Sequence, residues 1–365
     1  MMSLRIFKQM DYLLLAVMLL LLVGGWFIMY SASYQESLST GINYSYKQII
    51  WIGIALVVFV IILFIDYRFL LRYSFVIYGL ILILLLLVLF KGQARFGARR
   101  WLGWGGITIQ PSELAKIGIL LAITRYLVMD IERRETFRYI LITGLLLAVP
   151  LFLIFKQPDL GTAVIFVPTV LVMLFVAGIR WRYVLIGAAA AMASAPFLWT
   201  LLKDYQKNRI LSFLHPESDP FGAGYSIIQS KIAIGSGGVL GKGWLGGTQN
   251  RLNFIPERHT DFIFSVIGEE WGFAGAIIIL ILFFIVIAAG FGIARKAPDT
   301  GGRILATGII TLFSIQAIVN VAMTIGLVPI TGLTLPFISY GGTSIVVTVA
   351  MIGLLQNIYM RRFMF

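Results

Sequence analysis

The chain of 365 residues contains no cysteine. Disulfides and thiolate metal sites are therefore excluded, and the redox compartment is left unread. Charge is scarce: 12% of residues are charged, where a soluble domain carries about 25%. No clear internal repeat, heptad or low-complexity tract is present. The first apolar run, beginning near Tyr12, lacks an A-x-A-like cleavage signal and reads as a retained helix rather than a removed leader.

What is abundant is hydrocarbon. Hydrophobic residues make up 59% of the chain, and the mean hydropathy is +0.94. The apolar runs predict ten spans, roughly 11–31, 48–65, 72–90, 112–130, 139–155, 161–178, 182–201, 262–293, 304–328 and 343–360. Lipid offers the backbone no hydrogen-bond partner, so these runs must be helices. The fold class expected is all-α: a polytopic integral membrane protein with about ten transmembrane helices, read as one domain over 1–365. A large extracellular loop, 202–261, lies between helices 7 and 8. The run at 262–293 is too long for a simple crossing, and its start is expected in the outer interface.

Lysine and arginine set the orientation. One side holds Arg5 and Lys8, Arg68 and Arg72, Arg125, Arg133, Arg134 and Arg138, Arg180 and Arg182, Arg295, Lys296 and Arg303, and Arg361 and Arg362. The plain short connections opposite hold Lys47 and Lys156. Both termini are therefore expected in the cytoplasm. The net charge of +13 reads as topology and contact with anionic lipid, since the basic residues are spread over many loops. Nucleic acid is not an expected partner.

Two external segments break this pattern. "KGQARFGARRWLGW", 91–104, carries Lys91, Arg95, Arg99 and Arg100. Headgroup contact is one reading; a seat for an anionic group held by arginine forks is the other. The long loop carries Lys203, Lys207, Arg209, Lys231, Lys242, Arg251 and Arg258 and is dense in glycine. Its composition suggests a binding lid more than a spacer, and "YSIIQSKIAI" within it is a short amphipathic stretch suited to a membrane surface. "GSGGVLGKG" is an incomplete Walker pattern on the wrong side for ATP.

Polar groups inside spans are costly and so are functional candidates. In "QPSELAKIGIL", Pro111 suits a first helical turn. Glu113 and Lys116 share one face, either as a self-neutralising pair or as the lining of a wet external cavity. Asp159 in "KQPDLGTAV" is a candidate helix cap that also sets a carboxylate at the external surface. "GLVPITGLTLPFISYGGTS", 326–344, breaks helical bonding and is expected to wall the same cavity.

Six stretches in order, "RRW" with "QPSELAK", "QPDLGT", "DPFGAGYSIIQSKIAIGSGG", "PERHTDFIFSVIGEEWG" and "LPFISYGG", resemble the SEDS family of shape, elongation, division and sporulation proteins. The resemblance runs from about 90 to 345, and the loop "SKIAIGSGG" with "GKGWLGGTQ" is similar to its rod-elongation members. The resemblance implies a peptidoglycan glycosyltransferase polymerising lipid II outside the bacterial cytoplasmic membrane. The partners it implies are lipid II, the nascent glycan and a class B penicillin-binding protein. It carries the essential aspartate onto Asp261 and the functional glutamate and lysine onto Glu113 and Lys116. The residues name no cofactor; a divalent cation at the pyrophosphate is a candidate. A lipid II flippase and a non-catalytic scaffold are the competing classes, and the external concentration of polar residues favours the enzyme.

Within "FIPERHTDFIF", Asp261 has two readings: cap of the eighth span, or general base for the acceptor hydroxyl. Ser265 and Gly268 follow it at helical spacing, so a small, polar stripe is expected to leave room for a sugar. Arg95, Arg99 and Arg100 are expected at the pyrophosphate. Glu113, Lys116, Asp159, Lys231, Glu257 and His259 are expected to hold the site or touch substrate.

Overall fold

The computed structural model describes residues 7–95, 98–104, 107–129, 132, 137–157, 159–201, 204–218 and 222–363. The helices are α1 (Tyr12–Thr40), α2 (Tyr44–Phe64), α3 (Tyr67–Arg72), α4 (Ser74–Lys91), α5 (Pro111–Met129), α6 (Phe137–Lys156), α7 (Leu160–Val176) and α8 (Trp181–Leu201). The large loop folds into α9 (Asp204–Leu214), α10 (Ala223–Ser236) and α11 (Thr248–Arg251). The rest is α12 (Ile263–Glu270), α13 (Gly272–Arg295), α14 (Thr300–Thr324) and α15 (Gly342–Met360). Helices occupy all the predicted spans. Seven of them, α1, α2, α4, α6, α13, α14 and α15, are long and apolar enough to cross a membrane by themselves.

The centre of the bundle is α5, α14 and α15. α15 packs along α2, and α14 lies against α5, α7 and α13. Glycine lets helices approach where lipid gives them no hydrophobic reason to associate: Gly118 faces Ile81, and Gly290 faces Ile310. Buried polar groups close the open helix ends. Asn357 Nδ2 donates to the Ile62 and Ile65 carbonyls, both at 2.6 Å, and its Oδ1 accepts from Tyr67 N at 3.1 Å. The unpaired carbonyls ending α2 are thereby satisfied away from water.

Three expectations change. The segment before α5 is an antiparallel sheet, β1 (Gln93–Arg95), β2 (Ala98–Trp104) and β3 (Ile107–Ile109), with Leu102 paired to Ile109. Period-2 signal is weak in strands this short, so the helix-only reading missed it. The run 262–293 breaks at Trp271, and Gly272 has φ +64. α12 is buried within the protein throughout, because the large loop folds over it. The stretch 225–234 forms most of α10 and packs on protein: Ile227 and Ala233 are buried, and Ser230 Oγ donates to the Thr324 carbonyl at 2.7 Å.

Candidate active site

The turn 254–262 is held by one carbonyl. Glu257, at φ +50, accepts from the N–H groups of Thr260, Asp261 and Phe262 at 3.1, 3.0 and 3.3 Å. Thr260 Oγ1 also donates to Glu257 Oε2 at 3.1 Å. Helix α12 begins after Phe262 with no side-chain cap. Asp261 is therefore not a helix cap, and its carboxylate is left for another use.

Arg258 and His259 point the other way, into α1. Arg258 Nε donates to the Ala32 carbonyl at 2.9 Å. His259 Nδ1 lies 3.3 Å from Glu36 Oε2, and its ring centroid is 4.9 Å from that of Tyr44. Burial holds His259 below the ordinary imidazole value, against the pull of Glu36 and Glu257. It is a neutral packing group at pH 7, turned away from the Asp261 carboxylate.

The far wall is the irregular segment 329–335. Asn320, fully buried on α14, donates through Nδ2 to the Asp261 carbonyl at 2.9 Å and the Leu333 carbonyl at 2.6 Å. Gly332 adopts φ +74, and a Cβ there would lie 3.6 Å from Asp261 Oδ2 and 4.0 Å from Arg209 Nη1. Glycine thus keeps open the space between carboxylate and guanidinium. Arg209 comes from α9 and donates to the Ile330 carbonyl at 3.5 Å. Arg100, on β2, donates through Nε to the Gln157 carbonyl at 3.2 Å.

Half-buried Asp261 titrates at about 6 in this setting. Burial is the main cause, and the Glu257 charge adds to it. Arg209 and Arg100 pull the value down, and Asp159 pushes it up. Among the described residues, no side-chain donor or cation reaches the Asp261 carboxylate directly.

The other predicted residues fall into place around this centre. Asp159 does cap α7, accepting from Thr162 N at 3.4 Å, but it is buried rather than at the surface. It also accepts from Ser112 Oγ at 2.9 Å and Gln110 Nε2 at 3.2 Å, which ties α7 to α5. Lys116 is fully buried and donates to both Glu113 carboxylate oxygens and to Gln316 Oε1, at 2.7, 2.8 and 2.8 Å. Gln316 Nε2 continues to the Thr334 carbonyl at 2.9 Å. The pair thus braces the 329–335 wall from beneath and is enclosed. Lys231 sits on the exposed face of α10 against Gly326, at the end of α14. The side chains of Arg95 and Arg99 lie outside the described part of the structure. Among the described residues no group of three His, Asp or Glu side chains suits a metal ion.

The expected small-residue stripe is filled. Ser265 Oγ donates to the Phe262 carbonyl at 2.6 Å, and Gly268 packs against Ile234 of α10. On its other side Asp261 Oδ2 adjoins Gly332, where a Cβ would make ordinary contact. Reading the sequence missed Arg209, Gln316, Asn320 and Gly332 as site residues. Gln316 and Asn320 did carry a signal: two amides one turn apart inside an apolar run.

At the other end of α12 lies a second acidic cluster. Glu269 accepts from Lys242 Nζ at 2.8 Å, Thr248 Oγ1 at 3.1 Å, Gln249 N at 2.9 Å and Asn250 N at 3.3 Å. Glu270 accepts from Ser31 Oγ at 2.6 Å, Leu245 N at 3.3 Å and Asn250 Nδ2 at 3.4 Å. These carboxylates organise the glycine-rich loop.

The helices define the class: a polytopic helical membrane protein. The chain belongs to the FtsW/RodA/SpoVE family, described as cell cycle proteins, whose family model matches residues 11–363. It is 41% identical to the peptidoglycan glycosyltransferase MrdB of Escherichia coli strain K12 over 357 residues, covering 97% of this chain and 94% of that protein. It is 37% identical to stage V sporulation protein E of Bacillus subtilis strain 168, covering 95% and 96%. Among solved structures it is similar to a chain of a peptidoglycan synthase complex that coordinates polymerization and crosslinking, with TM-score 0.83, 35% identity and coverage of 97% and 98%. It is also similar to the rod shape determining protein RodA of Thermus thermophilus, with TM-score 0.72, 31% identity and coverage of 97% and 98%.

Proposed function

We propose that this chain, a peptidoglycan glycosyltransferase like the relatives it matches, polymerises lipid II on the outer face of the cytoplasmic membrane during elongation, with Asp261 as general base. The acceptor GlcNAc 4-hydroxyl attacks the MurNAc anomeric carbon. A C–O bond forms there, the bond to undecaprenyl pyrophosphate breaks, and Asp261 takes the hydroxyl proton. Arg100 and Arg209 balance the negative charge gathering on the departing pyrophosphate, as charge-assisted arginine–phosphate contacts do. The enclosed Glu113–Lys116–Gln316 chain keeps the 329–335 wall in place. The lysine and arginine bias puts both termini in the cytoplasm, which sets the Asp261 end outside. A class B penicillin-binding protein is the crosslinking partner; similarity to a chain of a peptidoglycan synthase complex supports this reading, and copurification from membranes tests it.

The observation that carries the proposal is the half-buried Asp261 carboxylate, pushed up to about 6 and, among the described residues, without a direct side-chain partner, next to Gly332 and Arg209. A base with that value is mostly ionised at pH 7 yet still accepts a proton. The test is purified protein with labelled lipid II, read as glycan ladders. Asp261→Asn should fold, reach the membrane and lose about 10²–10⁴-fold in rate. Arg100→Ala and Arg209→Ala should lose less. Retention of more than about a tenth of the rate by Asp261→Asn places the base elsewhere.

A further inference from the structure

The glycine-rich loop between α10 and α11 presents its apolar side chains outward. Leu240 is 80% exposed, Val239 69% and Trp244 49%, a poor arrangement for a loop in water. The backbone shows what the arrangement suits. Gly241 N donates to the Gly237 carbonyl at 2.8 Å, Lys242 N to Glu269 O at 3.0 Å, and Gly243 N to Glu270 O at 3.0 Å. Leu245 N donates to Glu270 Oε2 at 3.3 Å, and Gly246 N to Gly243 O at 2.9 Å. The loop carbonyls serve in turn: Gly238 O and Val239 O accept from Phe273 N and Ala274 N, at 2.9 and 3.0 Å, satisfying the first turn of α13. Lys242, the loop's charged residue in this stretch, reaches inward to Glu269 at 2.8 Å. Part of the loop backbone is thus tied to α12 and α13, its charged side chain turns inward and the side chains facing out are apolar, an arrangement suited to the headgroup boundary, where the remaining backbone groups still reach water.

Position supports the same reading. Phe273, directly bonded to the loop, is 65% exposed on the outward face of α13. Trp244 packs against Phe27 and Tyr30 of α1, with ring centroids 6.4 and 5.8 Å apart, and Tyr30 continues to Trp26 and Tyr34. α1 has 29 residues, a rise of about 43 Å, which exceeds a hydrocarbon core of about 30 Å. Its aromatic second half therefore falls at the boundary with the headgroups, where tryptophan and tyrosine concentrate. Close packing explains the glycines: a Cβ at Gly237 would collide with the Gly268 carbonyl, and one at Gly241 with the Glu270 carbonyl.

We propose that residues 238–246 form an interfacial foot, with Val239, Leu240 and Trp244 inserted among the lipids of the leaflet on the Asp261 side, continuous with the lipid-facing surfaces of α1 and α13. The foot holds α12, and with it the turn bearing Asp261, at a fixed depth. This inference does not depend on which group is the base.

The absence of cysteine makes the test clean. Single-cysteine variants Val239→Cys and Leu240→Cys carry a nitroxide label in nanodiscs of phosphatidylethanolamine and phosphatidylglycerol. Phe273→Cys is the lipid-facing reference, and Glu217→Cys, in the exposed part of the large loop, is the aqueous one. Both positions are exposed, so the label leaves the fold intact, as an unchanged elution profile and lipid II turnover will show. The expected result is collision with oxygen exceeding collision with a soluble nickel chelate, giving a depth shift towards that of Phe273→Cys. Dominant collision with the chelate, as at Glu217→Cys, overturns the proposal. Low collision with both overturns it too, because the loop would then be covered by protein, either a second copy or another chain.

Discussion

At the start of α12, Asp261 sits in a turn with its backbone held from three sides and its carboxylate next to Gly332. At the end of the same helix, Glu269 is fully buried and accepts four hydrogen bonds, one of them from an ammonium group. Both are carboxylates in a membrane protein, where an unpaired charge is costly. Saturation separates them. A carboxylate whose lone pairs are occupied is fixed and chemically spent. One raised to about 6, with its main chain clamped and, among the described residues, no donor on its oxygens, suits the base role proposed for it.

The largest effect expected from breaking this contrast is on stability at the Glu269 end. Glu269→Ala leaves Lys242 Nζ, Thr248 Oγ1 and two backbone N–H groups without their acceptor. Lys242 Nζ keeps Thr248 Oγ1 and reaches water, but each donor left unsatisfied away from water costs about 1–3 kcal/mol. Thermal unfolding in detergent should fall by about 5–10 °C, while protein that remains folded keeps its turnover of lipid II. Lost turnover with unchanged unfolding would make Glu269 the chemical residue and reverse the comparison.

A smaller effect is expected at Asn320. Asn320→Leu fills similar space but leaves the Asp261 and Leu333 carbonyls without a donor. Each buried group left unsatisfied costs about 1–3 kcal/mol, and a displaced base costs about 10–100-fold in rate. Because Asn320 acts through Asp261, the acid limb of the rate–pH profile should move as well as the rate. A lower rate with an unmoved profile would make Asn320 a packing residue only.

Asn320 also marks what was legible in the sequence. The helices were, because each span is a long apolar run with basic residues at its ends. Asp261, Glu113 and Lys116 were singled out as charges at or inside such runs. Partnership was not legible. Lys116 contacts Gln316, 200 positions away, and the Asp261 turn meets α14 across 59. No local pattern encodes pairings of that kind. Arg209 looked like one basic loop residue among seven until α9 brought it beside Gly332. The stripe through Ser265 and Gly268 was a real periodicity given the wrong occupant: helix α10 fills it. The sheet at 93–109 escaped because two of its strands have three residues each.

The smallest expected effect follows from the Asp261 titration. Folding raises this carboxyl from 3.8 to about 6, so the folded chain binds its proton more tightly than the unfolded chain does. Between those values the folded state holds more protons, and stability therefore falls as pH rises through that window, then stays level above it. About two units correspond to at most about 3 kcal/mol. Asp261 is partly exposed, and water screens much of that, leaving about 1 kcal/mol. An asparagine amide in its place has no charge to desolvate, so Asp261→Asn should unfold about 2–4 °C above the parent at pH 7.5. The gain should shrink to nothing near pH 4, where the parent carboxyl is protonated as well. A variant that gains stability while losing turnover is what a strained base predicts. If Asp261→Asn is instead less stable than the parent at pH 7.5, the ionised carboxylate is being stabilised by neighbours such as Arg209, and Asp261 belongs with Glu269 as a structural charge.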